Sequence, residues 1–275
     1  MYKNSFSRKN PGLVIIMVDQ SGSMCATSKK NGLTLAENAA NSVNNLINEF
    51  ILKLSTTDAS GNDVVKSSIK LVVIGYGGLQ DEAYIICNDM IDKIADAYPM
   101  GKVKMSTREG LFEQDCIEVV QPVADMCTPM AWAMSLAKDE ISKWLNTHRS
   151  PEDPVPVVIN ISDGMPTDSE EDVKKYAEDI KNMVMPDGNP RIFNIHISED
   201  SDMDIRFPKS EGELGDNCSK LLFDISSEVT PDLIQSIPEL VNSKVQGGEK
   251  MMMSNVSDPV VLLNFLKIGT LQKLR

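Results

Sequence analysis

VIIMVDQSGSM, residues 14–24, is an apolar run that stops at an acid. Residues 14–18 contain no polar alternate, the pattern of a strand buried on both faces, as parallel sheets use. From Asp19 on, every second residue carries a short oxygen: Asp19, Ser21, Ser23. Spacing by two lets an extended loop turn successive oxygens toward one point, and Gly22 gives the backbone freedom to curl.

Working outward, LVIIMV (13–18) is followed by a long helical pattern over 33–54 and a second apolar run, IKLVVIGY (69–76), a β-α-β unit. Residues 129–146 have helical spacing and open with Pro129 after Thr128, a favoured first-turn arrangement. VPVVINIS (155–162) reads as a buried strand, and 169–184 as a helix with Ser169 or Asp168 as its cap. RIFNIHIS (191–198) and KLLFDIS (220–226) read as two more strands, and PDLIQSIPELV (231–241) as a closing helix. This order predicts an α/β fold: a doubly wound, mostly parallel sheet with helices on both faces. Residues 77–125 form an insertion holding AYIICN (83–88), an antiparallel edge strand, the helical 88–98 and a polar loop. The expected sheet domain is 1–242, and 243–275 is expected to be a polar linker ending in a helix at VVLLNFLKIG. Within that linker MMM (251–253) reads as loop or packing material.

The totals narrow the function. A chain of 275 residues with 41% hydrophobic content can bury a full-sized core. A formal charge of −13, with cations gathered only at Lys102, Lys104 and Arg108, argues against nucleic acid as a partner. The apolar run before Asp19 is too short for a signal or membrane segment, so no membrane association is expected. Five cysteines without a CxxC pair fit a reducing, cytoplasmic setting. Cys25 and Cys127 neighbour the oxygen-bearing loops and are expected to be buried small hydrophobes. His148 and His196 are too far apart to pair, and His196 reads as a hydrogen-bonded core residue in its strand.

Three segments fall at carboxyl ends of expected strands or at a helix start on the same side: DQSGS (19–23), CTPM (127–130) and SDGMPTD (162–168). They offer Asp19, Ser21, Ser23, Thr128 and Asp163. Two carboxylates and three hydroxyls make an all-oxygen set, suited to magnesium or another hard divalent cation. Taken singly, each residue also has a plain structural reading as a turn or cap, Thr128 as the N-cap of its helix among them.

In these motifs the chain resembles the von Willebrand factor type A domain, whose metal-ion-dependent adhesion site is written DxSxS, then T, then D. The resemblance covers roughly residues 10–242, and the SDGMPTD and CTPM segments are similar to the bacterial intracellular, TerY-like members. It implies that Ser21, Ser23 and Thr128 contribute directly to a bound Mg2+, with Mn2+ or Ca2+ as alternatives, and that Asp19 and Asp163 often act through water. It also implies a partner protein whose Asp or Glu completes the metal shell. From the TerY-like members it implies a protein kinase or PP2C-type phosphatase as partner and a role in stress response or defence.

The rival reading of VIIMVDQSGSM is a magnesium-dependent phosphohydrolase of haloacid-dehalogenase-like type, where a strand also ends in an aspartate. That chemistry expects a second Asp two residues on, and here the position is Ser21. No GxxxxGK[ST] or GxSxG pattern occurs either. The expectation is therefore a metal-dependent protein-binding module and not an enzyme.

Overall fold

The computed structural model describes residues 2–107, 110–199, 204–234, 237–270 and 274. Its strands are β1 (Gly12–Gln20), β2 (Ser55–Thr57), β3 (Asp63–Val65), β4 (Ile69–Gly77), β5 (Glu82–Met90), β6 (Met100–Thr107), β7 (Gly110–Ile117), β8 (Val157–Ser162), β9 (Arg191–Ile197), β10 (Ile205–Arg206) and β11 (Met252–Val256). Its helices are α1 (Leu35–Leu54), α2 (Ile91–Ala97), α3 (Met130–Leu145), α4 (Glu170–Lys181), α5 (Asn217–Ile225), α6 (Pro231–Ile234), α7 (Ile237–Val241) and α8 (Pro259–Lys267).

Seven strands form the main sheet in the order β10-β11-β9-β8-β1-β4-β5. β1 pairs in parallel with β4 on one side and β8 on the other, and β8, β9 and β11 continue in parallel. β5 and β10 are antiparallel, each closing one edge. The chain leaves β1 toward β4 and later returns to β8 on its other side, so the winding reverses at β1. The fold is α/β and doubly wound, with AYIICN in the antiparallel edge strand as the sequence led one to expect.

Side chains alternate along β1 between two apolar layers. Val14, Ile16 and Val18 pack into the layer of α1, α2 and α8, and Leu13, Ile15 and Met17 into that of α3, α4 and α5. Each such aliphatic side chain contributes about 1.5–3 kcal/mol on burial. α1 starts at a capping box, Thr34 Oγ1 accepting from the Glu37 amide while Glu37 accepts from the Thr34 amide. Asn44, buried mid-helix, receives the chain returning from the β6–β7 hairpin: its Oδ1 accepts from the amides of Val119 and Val120, and its Nδ2 donates to the Val120 carbonyl. One side chain so replaces a strand partner for that segment.

The structure corrects several expectations. KLLFDIS is not a strand but lies in α5, because Asp216 accepts from the Ser219 amide and starts a helix there. Cys218, Leu221, Leu222 and Ile225 then recur at helical spacing on its buried face. MMM is packing material and no loop: Met252 and Met253 belong to β11, and Met251 and Met253 face one apolar layer while Met252 faces the other. Residues 252–256 of the expected linker thus lie within the main sheet, between β10 and β9. The helix expected over 231–241 is found as α6 and α7, residues 235–236 lying outside the described set. Arg108 of the basic patch also lies outside it, and Lys102 is paired with Asp115 at 2.8 Å. Among the described residues no helix is long and apolar enough to cross a membrane.

Candidate functional site

β1 and β8 end side by side at the reversal of the winding, where ligands of open α/β sheets bind. Asp19 is the second-last residue of β1 and Asp163 follows β8 directly. A turn of 3-10 helix, Gly22–Cys25, begins after Ser21 and curls the chain so that Ser23 faces back across the gap. Its hydroxyl donates to Asp163 Oδ1 at 2.8 Å, a contact between residues 140 positions apart. The Ser21 and Ser23 hydroxyl oxygens lie 3.1 Å apart. A methyl group placed on Gly164 would sit 3.4 Å from Ser23 Oγ and 3.9 Å from Thr128 Oγ1, so Thr128 reaches the same spot. All five expected residues are brought together.

The loops are tied by backbone hydrogen bonds. Gly22 donates to the Met126 carbonyl, Asp125 to Gln20 and Gly78 to Asp125, lacing the ends of β1 and β4 to the segment that precedes Thr128. Gly77 makes this possible. Its φ is 93°, and a Cβ there would stand 2.6 Å from the Cys127 carbonyl oxygen and 2.9 Å from the Ser21 nitrogen. Thr128 in turn is clamped to Thr167: its amide donates to Thr167 Oγ1 at 2.9 Å, and the Thr167 amide donates back to its carbonyl at 3.0 Å. Thr128 is not the cap of α3. Asp168 fills that role, its two oxygens accepting from the amides of Ala131 and Trp132 at 3.1 Å each. Of the two cap candidates for α4, Ser169 is the one used.

Sequence reasoning missed Ser162, Thr167 and Asp168. They sit inside the SDGMPTD segment, and the signal was their short side-chain oxygens next to the expected ligands. Ser162 Oγ donates to Asp19 Oδ2 at 2.6 Å, while Asp19 Oδ1 accepts from the Ser21 amide at 2.9 Å.

Burial grades across the site. Asp19, Ser21 and Thr128 are buried, Asp163 is half-buried and Ser23 is exposed. Burial pushes the Asp19 carboxyl up to about 7, against the lowering effect of its hydrogen bonds from Ser162 and Ser21, with Asp163 raising it further. Asp163 is also raised, again chiefly by burial, with the Ser23 hydrogen bond opposing. Two crowded, buried carboxylates with raised values are groups whose charged forms a bound cation would stabilise. The donor set is all oxygen, two carboxylates and three hydroxyls converging from three loops, and it fits a hard divalent ion.

Around the site stand Leu79, Met126, Trp132 and Met165, all large, apolar and exposed. Cys25 and Cys127 are exposed as well, contrary to expectation, because both lie in the loops that turn outward to form the site rather than beneath them. His196 is buried in β9 as expected, its Nδ1 3.2 Å from Ser254 Oγ. His148 lies at the far end of α3 from Thr128, stacked on Trp144.

No protein-family model matches the sequence, and no curated protein matches it significantly. Solved structures do. The manganese-loaded TRAP protein of Plasmodium vivax aligns over 68% of this chain and 57% of its own, at 18% identity and TM-score 0.35. The pilus adhesin SpaC of Lactobacillus rhamnosus GG aligns over 98% of this chain and 31% of its own, at 9% identity and TM-score 0.55. The SpRpn10 VWA domain aligns over 70% and 77%, at 14% identity and TM-score 0.41. The likeness to the adhesin is one of fold alone, and this chain spans less than a third of the adhesin chain's length.

Proposed function

We propose that the chain is a metal-dependent protein-binding module of the von Willebrand factor A type, with Asp19, Ser21, Ser23, Thr128 and Asp163 holding one divalent cation, Mg2+ first among the candidates. The observation that carries this reading is the meeting of Ser23 Oγ and Asp163 Oδ1 at 2.8 Å, beside Ser21 and Thr128, at the reversal of the sheet. A bound cation supplies positive charge for which an anionic group of another molecule can compete. The chain's own residues prepare that position: Asp19 is fixed from below by Ser21 and Ser162, and the exposed hydroxyl of Ser23 marks the open side. The exposed Leu79, Met126, Trp132 and Met165 give a protein surface something to pack against. The partner in this reading presents an Asp or Glu amid apolar residues, and the charge of −13 turns away polyanions.

The same geometry speaks against Asp19 as a phosphohydrolase nucleophile. Both of its oxygens already accept a hydrogen bond and the residue is 1% exposed, an arrangement that disfavours in-line attack on a phosphorus atom. The five free cysteines support a reducing, cytoplasmic setting. The TerY-like resemblance puts a protein kinase or PP2C-type phosphatase partner, in stress response or defence, first in line for trial.

The test is calorimetry with Mg2+ and Mn2+ on wild type, Asp19→Ala and Asp163→Ala, followed by mixing with candidate partners with and without chelator. One site per chain, lost in both variants without loss of the far-ultraviolet dichroism, is expected. Wild-type-like binding in both variants, or a complex that keeps full strength in chelator and with Thr128→Ala, overturns the reading.

A further inference from the structure

Beyond the oxygen site, the neighbouring carboxyl end of β9 gathers side chains of a different chemical character. His196, Asp216 and Cys218 place one ring nitrogen, one carboxylate oxygen and one sulfur all within 4.8 Å of one another. His196 comes from the second-last position of β9, Asp216 caps α5 and Cys218 sits in the first turn of that helix. His196 and Cys218 are buried, while Asp216 is half-buried and gives the group its access to solvent.

Each residue also has an ordinary structural task. Asp216 accepts from the Ser219 amide and hydroxyl, both at 2.7 Å, as a helix cap does. The Cys218 thiol donates to the Gly164 carbonyl at 3.0 Å. Three groups converge on His196 Nδ1: Ser219 Oγ at 3.0 Å, Ser254 Oγ at 3.2 Å and the Asn255 amide at 3.5 Å. Caps and core histidines are common, yet they do not require a sulfur, a carboxylate and an imidazole to meet. Nitrogen, sulfur and oxygen together are the ligand set of borderline-soft transition metals, and zinc sites join these three donor types in a tetrahedron. Fixing one ring nitrogen by neighbouring hydrogen bonds is how proteins orient a metal-ligating histidine.

The arrangement has a further mark in β11. Its register shifts between Met253 and Val256, and Asn255 takes a φ of 57°, which turns the backbone amide of Asn255 and the hydroxyl of Ser254 toward His196. The irregularity of β11 thus falls at the residues that meet the His196 ring.

We propose that His196, Asp216 and Cys218 form a second metal site, for Zn2+ or a similar borderline-soft ion, which sits beside the all-oxygen site, shares no ligand with it and does not depend on its assignment. Binding exchanges the Cys218 proton, released to solvent, for a metal–sulfur bond; no electrons are transferred. Water or a nearby carbonyl completes the shell. Because Cys218 gives up its hydrogen bond to the Gly164 carbonyl, occupancy is felt at the turn that carries Asp163.

The experiment is a cobalt(II) titration of the full chain under reducing conditions, read by thiolate-to-cobalt charge-transfer absorption and by the visible bands of tetrahedral cobalt. One equivalent, displaced by zinc, is expected. Cys218→Ser should remove the charge-transfer band, and His196→Gln should weaken binding by at least about 10-fold. Asp19→Ala should leave the band in place while abolishing magnesium binding, so the two sites fail independently. Should a variant not fold, alkylation of the wild type at a urea concentration that opens the metal-free protein to the reagent at Cys218, followed by peptide mapping, decides: zinc must protect Cys218. Absence of the band in wild type, its survival in Cys218→Ser, or protection of Cys25 or Cys127 in place of Cys218 overturns the proposal.

Discussion

Ser162 Oγ donates a 2.6 Å hydrogen bond to Asp19 Oδ2, tying the end of β8 to the end of β1. With the Ser21 amide on Oδ1, both oxygens of Asp19 are engaged before any ligand arrives. Asp19 therefore acts from beneath the site, by charge and by holding the Ser21 backbone, rather than as an open arm.

Changing Ser162→Ala removes that bond and leaves the five proposed ligands intact. Outer-shell partners of this kind are worth about 10–100-fold in metal affinity. Calorimetric Mg2+ or Mn2+ affinity should fall within that range. An unchanged affinity would show that Asp19 needs no anchoring from β8.

The Asp19 carboxyl, pushed up to about 7 from 3.8, links stability to pH. A folded value above the unfolded one means the native state binds the extra proton between the two. Stability of the metal-free protein therefore falls as pH rises from about 4 to about 7, and the cost is complete above that range. Asp163, raised as well, adds to the same slope. In chelator at pH 8, Asp19→Asn should be more stable than wild type by a few kcal/mol, even though it loses metal binding. Urea unfolding at pH 5 and pH 8 measures this, and equal stabilities of the two proteins at pH 8 would count against a buried charge at Asp19.

Asp168 is the cap of α3 although it lies 37 residues from Ala131 in sequence. Asp168→Ala should cost about 1 kcal/mol in thermal or urea unfolding, the usual value of a lost N-cap. Ser169→Ala, which uncaps α4, should cost a similar amount while leaving metal affinity alone. If Asp168→Ala also leaves affinity untouched, the α3 entry does not position Thr128.

No turnover of phosphate esters or nucleotides above background is expected with Mg2+ or Mn2+. Ser21 stands where the second carboxylate of such chemistry belongs, and Asp19 is buried with a hydrogen bond already on each oxygen. Robust hydrolysis abolished by Asp19→Asn would restore the enzyme reading.

The β1-α1-β4 unit and the placement of the five oxygens were legible in the sequence because each rested on strong local signals. Residues 14–18 are uniformly apolar, and each site loop directly follows a buried strand or precedes a helix. α5 was misread from its apolar residues, although Asp216 three positions before Ser219 carried the cap signal. β11 was hidden because methionine has no strand preference and the run is buried on both faces, so no alternation shows. Asp168 could not be assigned by sequence, since proximity pointed to α4 and only the fold brings α3 to it. The exposure of Cys25 and Cys127 departs from the habit of their residue type, because residue type does not report on which side of a loop a side chain stands.

The position of β11 has a consequence for how the protein is made. The last strand among the described residues is not at the rim but enters between β10 and β9, the Asn194 amide pairing with the Met251 carbonyl. On the ribosome, β1, β4 and β8 are all available once residue 162 has emerged, whereas β9 waits with an unpaired side until residues 252–256 follow. Asp19, Ser21, Ser23, Thr128 and Asp163 have thus all emerged before the strand that pairs with β9. Chains that stop short of β11 carry a bare strand edge, free to pair with other nascent chains, and translation through the tail is the step that closes it.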